Sequence, residues 1–290
     1  MKIEEKQNQE KFLNYLYAQS IYYDKARFYR RFRTTISIIL PIGSVLSILL
    51  LPQIKEMLAV IGAVWMLTSR FILQEKEKSF TKIAATIQEQ FDTELLGIKW
   101  NKVTVGDRVK PEVIINAASE FKKNREKMVD WYRGLKCENS NLNALLAQRT
   151  NLVWDQNLRK GYSRFVAFIT WGSFFSMVVF ALFKSMTVED FLVSLAIPSL
   201  SAIVYGIENS RSHLHRALRA EKIEKEVYET FIQNQNNKNY TDDFILREFQ
   251  NHIYMSRTEP TVVAKWWYWI GRKKTDETYS KVNSMLSSGQ

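Results

Sequence analysis

The sequence has one cysteine, Cys137, so no internal disulfide can form, and the thiol reads as one kept in a reducing cytosol. Glycine is sparse, and none of it is arranged as G-x-G-x-x-G or followed by a Walker lysine, which excludes the common nucleotide loops. There are three histidines: His213, His215 and His252. His213 and His215 lie two apart and point to different sides of a helix, so no metal site is expected. Neither a Cys-His pair nor a G-x-S-x-G elbow is present. The carboxylates Glu89, Asp92 and Glu94 cluster on one helix, but a catalytic pair needs burial and an opposed partner, so solvated charges or ion pairs are expected there. The reading is therefore of a protein that is not an enzyme, with no catalytic residues and no cofactor. A cleavable signal peptide is also missing: Met1-Lys-Ile-Glu-Glu-Lys-Gln-Asn8 is charged and has no apolar core.

What the chain does have is positive charge and apolar blocks. Its 290 residues carry a net charge of +11. Such a balance suits small anionic ligands, a negatively charged membrane surface or polymeric nucleic acid. Mean hydropathy is -0.25, an average that hides segregation into blocks.

Residues 7–33 read as an amphipathic helix ending in Lys25, Arg27, Arg30, Arg31 and Arg33. Two apolar runs follow, Thr35 to Leu51 and Met57 to Leu73, joined by a short polar turn. The pattern recurs: basic Arg159, Lys160 and Arg164, then Phe165 to Phe183, a turn over Lys184 to Asp190, and Phe191 to Ile207. Each run is near the lower length limit of a spanning helix. The expected fold is an all-α membrane protein with two transmembrane helical hairpins, four spanning helices in all, plus a cytosolic helical domain. The segments are 1–34 (cytosolic helix), 35–73 (hairpin 1), 74–164 (cytosolic), 165–207 (hairpin 2) and 208–290 (cytosolic). Lysine and arginine crowd the flanks and spare the turns, so both termini are expected in the cytoplasm. A soluble bundle is the alternative, but Ile38 to Leu51 shows almost no polar face. Pro41 and Pro198 are tolerable where neighbours re-satisfy the backbone.

Between the hairpins, Gln74 to Leu96 reads as a helix, Pro111 opens another that runs to about Tyr132, and Cys137 to Asn143 reads as a loop. Thr241 is the expected cap of a later helix that ends before Pro260. Trp266-Trp-Tyr-Trp-Ile270 beside Gly271-Arg-Lys-Lys274 fits either an interfacial membrane contact or packing on the cytosolic helices. Gln148, Asn151, Asp155 and Arg159 recur at helical spacing and share one face that leads into the third apolar run. They are read as a coupling and structural face, with Asp155 and Arg159 pairing at i, i+4. The same block mixes Trp100, Trp131 and Trp154 with Arg149 and Arg159. Aromatic faces stack on bases and arginine forks hold phosphates, so a small anionic base-containing ligand fits, as does plain core packing of the tryptophans.

Several stretches together resemble the SMODS-associated four-transmembrane effectors. They are Lys6-Gln-Asn8, Tyr23-Asp-Lys-Ala26, Ala85-Thr-Ile-Gln-Glu-Gln-Phe-Asp92, Trp100-Asn101, Asp130-Trp-Tyr132, Gln148 to Arg159, and Trp267-Tyr268 with Arg272. The chain departs from the pattern at Leu146-Ala147, where a cysteine is expected before Gln148. The resemblance implies a bacterial antiphage effector in the inner membrane. A partner nucleotidyltransferase would make a cyclic di- or trinucleotide, and the effector would bind it and open as a homo-oligomeric pore in the lipid bilayer, with no polymeric nucleic acid involved. The alternatives are a nucleotide-independent scaffold or channel, and an effector held closed by nucleotide and released by its loss. The ligand-contact candidates are Arg149, Trp154 and Arg159, with Trp100 and Trp131.

Overall fold

Local capping chemistry sets several helix starts in the computed structural model, which describes residues 3–50, 55–259 and 263–288. The expected turn at 51–54 and Pro260 fall outside those residues, as do the side chains of 268–276. In chain order the helices are α1 (Ile3–Lys6), α2 (Glu10–Leu50), α3 (Lys55–Thr68), α4 (Gln74–Leu96), α5 (Lys102–Val105) and α6 (Pro111–Ser119). There follow α7 (Ser140–Phe183), α8 (Val188–Phe191), α9 (Ile197–Asn234), α10 (Asp243–Thr258) and α11 (Lys265–Ser288). No strand occurs among the described residues. Asn101 Oδ1 accepts from the Val103 and Thr104 amides at 3.1 and 3.2 Å and so starts α5. Asn139 Oδ1 does the same for Asn141 and Leu142 and starts α7. Pro111 occupies the first turn of α6, where its missing N–H costs nothing. Asp242, one residue after the expected Thr241, caps α10 by accepting from the Ile245 amide at 2.9 Å.

Other sequence expectations change too, among them the loop read over Cys137 to Asn143, which is already helix from Ser140. The basic lead-ins and the apolar runs do not form separate helices: α2 runs unbroken for 41 residues and α7 for 44. The helix expected from Pro111 to Tyr132 instead stops at Ser119 and is followed by a short 3-10 turn, Arg125–Met128. The reason lies in the N-terminal segment. Asn8 Oδ1 accepts from the Asp130 amide at 3.0 Å, and Glu4 Oε1 accepts from the Gly134 amide at 2.9 Å. Gln7 takes both backbone groups of Tyr132, at 2.8 and 2.9 Å, as a strand partner would. Asp130 at φ 52° and Gly134 at φ 78° also hold non-helical conformations. At Gly134 a Cβ would stand 2.7 Å from the Ser280 carbonyl oxygen, so only glycine fits.

The chain divides into two compact units. The first comprises residues 1–25, 78–159 and 216–290. Its centre is α4, which from Ala84 to Leu96 is buried at every position except Gln88 and Glu94. Leu16, Phe91, Leu145, Leu146 and Phe231 close the core around it.

The second unit comprises residues 26–77 and 160–215. Its helices carry their large apolar residues outward: Phe168 is 75% exposed and Phe175 68%. Small and polar residues form the inner seams. Ser163 and Ser210 exchange hydroxyl-to-carbonyl bonds at 2.9 and 3.0 Å, and a Cβ on Gly206 would meet Thr170 Oγ1 at 2.2 Å. Within residues 26–77, Trp65 Nε1 donates to Ser37 Oγ at 3.2 Å, and Arg33 pairs with the buried Glu77 at 2.6 Å. Among the described residues one helix, α7, is long and apolar enough to cross a membrane. Its apolar stretch is exposed along most of its length, opposite to the burial of a soluble core helix.

Candidate functional site

The face of α7 that ends at its apolar stretch meets a buried polar network. Gln148 is fully buried, and its amide donates to the Leu246 carbonyl at 2.8 Å and to Gln250 Oε1 at 3.2 Å. Gln250 in turn donates to Glu89 Oε2 at 2.8 Å and Asp92 Oδ2 at 3.1 Å. Both α4 carboxylates have zero exposure and each faces an arginine: Arg247 reaches Glu89 at 2.6 Å and Arg257 reaches Asp92 at 2.5 Å. Tyr132 donates to Asp92 Oδ1 at 2.7 Å and accepts from Asn151 Nδ2 at 2.7 Å. Gln148 and Asn151 thus enter one network from one face of α7. Glu89 and Asp92 are ion pairs, as the sequence reading expected, but they are buried where a solvated location was also open. Burial pushes the Glu89 carboxyl up against the opposing pull of Arg247 and Gln250. Burial and then Asp92 push the Tyr132 hydroxyl well above its ordinary value, so it stays a donor.

One turn further along α7 a second cluster forms. Arg159 Nε donates to Asp155 Oδ1 at 2.7 Å, the expected i, i+4 pair. Arg216 on α9 donates to Asp155 Oδ2 at 3.1 Å and to the Glu259 carbonyl at 3.5 Å. Arg219 forms a salt bridge with the Glu259 side chain. Burial alone would raise the Asp155 carboxyl, but Arg159 and Arg216 outweigh it and bring it down to about 2. Arg159 is lowered to about 10, by burial first and by Arg216 second. Arg159 is the last residue of the first unit on α7, and Arg216 is the first on α9. This clasp therefore stands where both helices leave that unit.

The other predicted ligand residues take separate partners. Arg149 pairs with Glu224 at 2.8 Å and lies 4.9 Å from the Tyr228 ring centroid, both on α9. Trp100 donates to the Gly106 carbonyl at 3.0 Å and carries the Arg108 guanidinium at 4.9 Å. Trp131 is half-buried against the main core, and Trp154 is half-buried on α7. The structure joins Asp155 to Arg159, and Gln148 to Asn151 through Tyr132, Asp92 and Gln250; it gives Arg149 and Trp100 partners of their own. Sequence reasoning left Arg216, Gln250, Arg257 and Glu259 out of the site. A signal existed for one of them: Arg216 falls on the same helical stripe as the buried Ala217, Ala220, Val227 and Phe231.

Every buried carboxylate in the two clusters faces at least one arginine. Removing Arg247 or Arg257 would leave Glu89 or Asp92 as a charge stranded in low dielectric, so the arrangement suits holding α4, α7, α9 and α10 in one register. An arginine over an aromatic face, as at Arg149 and Tyr228, also suits a phosphate next to a base.

Comparison with known proteins places these features. Residues 1–285 match the model of the SMODS-associating 4TM effector domain. A protein of Bacillus cereus (strain VD146) described as a probable CBASS effector molecule is 30% identical, over 98% of this chain and 97% of that protein. No solved structure matches the chain.

Proposed function

Because the chain belongs to the SMODS-associating 4TM effector family, we propose that it is an antiphage effector which responds to a cyclic di- or trinucleotide and permeabilises the bacterial inner membrane as a homo-oligomeric pore. The observation that carries the reading is the family match across residues 1–285, joined to the outward-facing apolar half of α7. In this reading the chain crosses the membrane four times, in two hairpins, with both termini in the cytoplasm. A nucleotidyltransferase supplies the ligand. The chain itself catalyses nothing and takes up no polymeric nucleic acid. The relative's description as a probable CBASS effector supports the same assignment.

The ligand would bind the first unit, and Arg149 stacked against Tyr228 is its proposed centre. Trp154, Arg159, Trp100 and Trp131 remain the further contact candidates. Gln148, Asn151 and Asp155 would transmit the event along α7, since a ligand shifts a closed–open equilibrium only by its differential affinity for the two states. The test is dye release from vesicles holding the purified full chain, with cyclic di- and trinucleotides added in turn. A change in release with one cyclic nucleotide and none with its linear form is expected. A rise identifies an opening ligand and a fall a ligand that holds the pore closed. Release indifferent to every nucleotide would return the protein to a nucleotide-independent channel or scaffold.

A further inference from the structure

The start of α11 combines three features. Trp267 turns inward and its indole N–H donates to the Leu158 carbonyl on α7 at 3.3 Å. Trp266 turns outward and is 51% exposed, with its ring edge-on to Trp267 at 5.6 Å. Residues 265–274 include Lys265, Arg272, Lys273 and Lys274 and no acidic residue. Leu158, the tether point, precedes the apolar stretch that begins at Phe165 by seven residues of the same helix, roughly 10 Å of rise. Lys160 and Arg164 lie in that interval.

A half-exposed tryptophan in a cation-rich stretch of sequence, on a helix fastened to α7 seven residues before its apolar stretch begins, has the chemistry that lipid headgroups favour. Indoles favour that layer because one edge is apolar and the other donates a hydrogen bond. The cations add attraction to anionic lipid. We propose that the first turns of α11 dock on the cytoplasmic surface of an anionic bilayer, with Trp267 fastening the helix to α7 and Trp266 entering the headgroup layer. This rests on the membrane-spanning reading of α7. It adds a lipid-facing element that lies outside the four spans, in the segment that follows α10.

The experiment uses the full chain in vesicles of phosphatidylcholine with phosphatidylglycerol, in a Cys137→Ala background. A nitroxide is placed in turn at Trp266→Cys, Glu277→Cys and Phe174→Cys, and its depth is read from collisions with oxygen and with a water-soluble nickel complex. Position 174 is expected in hydrocarbon, 277 in water and 266 at headgroup depth, moving outward when phosphatidylglycerol is left out. Water-like values at 266 with hydrocarbon values at 174 overturn the docking alone. Water-like values at 174 overturn the spanning reading, and the docking with it. Equal depth at 266 in phosphatidylcholine alone overturns the anionic preference. A second readout keeps the native side chain in the reference protein: quenching of tryptophan emission by headgroup-labelled lipid should fall in Trp266→Phe, and unchanged quenching counts against the proposal.

Discussion

The two halves of α7 follow one helical path and obey opposite rules. Over residues 140–159 the helix buries Leu142, Ala144 to Gln148 and Leu152, and its polar face is spent on Gln250, Tyr132 and Arg216. Over 160–183 it turns its largest side chains outward, with Leu182 74% and Phe183 82% exposed, and keeps Ser163 and Thr170 inside, the latter against Gly206 of α9. The first half is built for water: apolar area is removed from solvent and the polar groups that go with it find partners. On the proposed membrane-spanning reading, the second half gains nothing from hiding apolar side chains, because in hydrocarbon they would already be solvated. Its helices associate through close backbone approach instead. The difference teaches that burial is an environment-dependent signal. An exposed phenylalanine is an anomaly in one half of this helix and the expected state in the other.

The sharpest way to break that comparison is to remove one charge partner from the buried network that the first half enters through Gln148. Arg247→Ala strands the buried Glu89 and should cost about 3–5 kcal/mol, seen as a large fall in the thermal midpoint of the detergent-solubilised protein. Phe175→Ala, on the exposed face of the second half, should leave the midpoint within about 1 °C, since surface changes away from such features fall within about 0.5 kcal/mol. Equal effects from the two would show that the polar network does not hold the first unit together. Pairing Arg247→Met with Glu89→Leu sharpens the point, because replacing both ions should recover most of the loss.

The second half can be probed at its inner seam. Gly206→Ala drives a methyl group into Thr170 Oγ1 at 2.2 Å and should cost about 1–3 kcal/mol. Gly172→Ala, with nothing within 4 Å, should be neutral or slightly stabilising. Thr170→Ala removes the nearest atom and should rescue Gly206→Ala in part. Absence of any Gly206→Ala effect on the midpoint would mean that α7 and α9 do not pack closely there.

Much of this division can be read from the sequence, and for a physical reason. Helical spacing alone places Gln148, Asn151, Asp155 and Arg159 on one face, and the i, i+4 pair Asp155–Arg159 follows from it. The bounds of α4, Gln74–Leu96, coincide with those read from periodicity, and Pro111 opens α6 as expected. What spacing cannot supply is the partner at long range. Tyr132 meets Asp92 across 40 residues, and Gln7 meets Tyr132 across 125. Residues 120–134 contain no strong helix breaker before Gly134, so their non-helical path is set by Asn8, Gln7 and Glu4 and is invisible locally. The same holds for the candidate site. The α7 residues were legible and Arg216 left a trace in its helical stripe, whereas Gln250 and Arg257 emerge only once α10 is packed.

At the end of the first half, Asp155 carries a pH signature. Its carboxyl is held at about 2 against an ordinary value of 3.8. A depressed folded-state value contributes stability that is complete above the unfolded value and is lost as pH falls through the folded one. The window is therefore about pH 4 down to about pH 2, and the contribution is about 2 kcal/mol at neutral pH. Asp155→Asn should lower the neutral-pH midpoint and flatten its decline over that acid range. An unchanged acid profile would remove Asp155 from the clasp.

A smaller loss of stability than the buried ion pairs predict, and the most informative change for function, belongs to Arg149. Its pair with Glu224 keeps part of both side chains in solvent, unlike Arg247 with Glu89, so Arg149→Ala should cost only about 1 kcal/mol of folding stability, its contact with Tyr228 included. If the nucleotide is held there, the same change should weaken its binding at least about tenfold by calorimetry, equivalent to about 1.4 kcal/mol. Arg149→Lys discriminates the two roles. A lysine can keep an ion pair with Glu224, but it cannot reproduce the planar fork that grips a phosphate while stacking on a ring. Stability restored in Arg149→Lys with affinity still lost would assign Arg149 to the ligand. Affinity unchanged in Arg149→Ala would leave this arginine as a brace between α7 and α9 and move the ligand site to another face of the first unit.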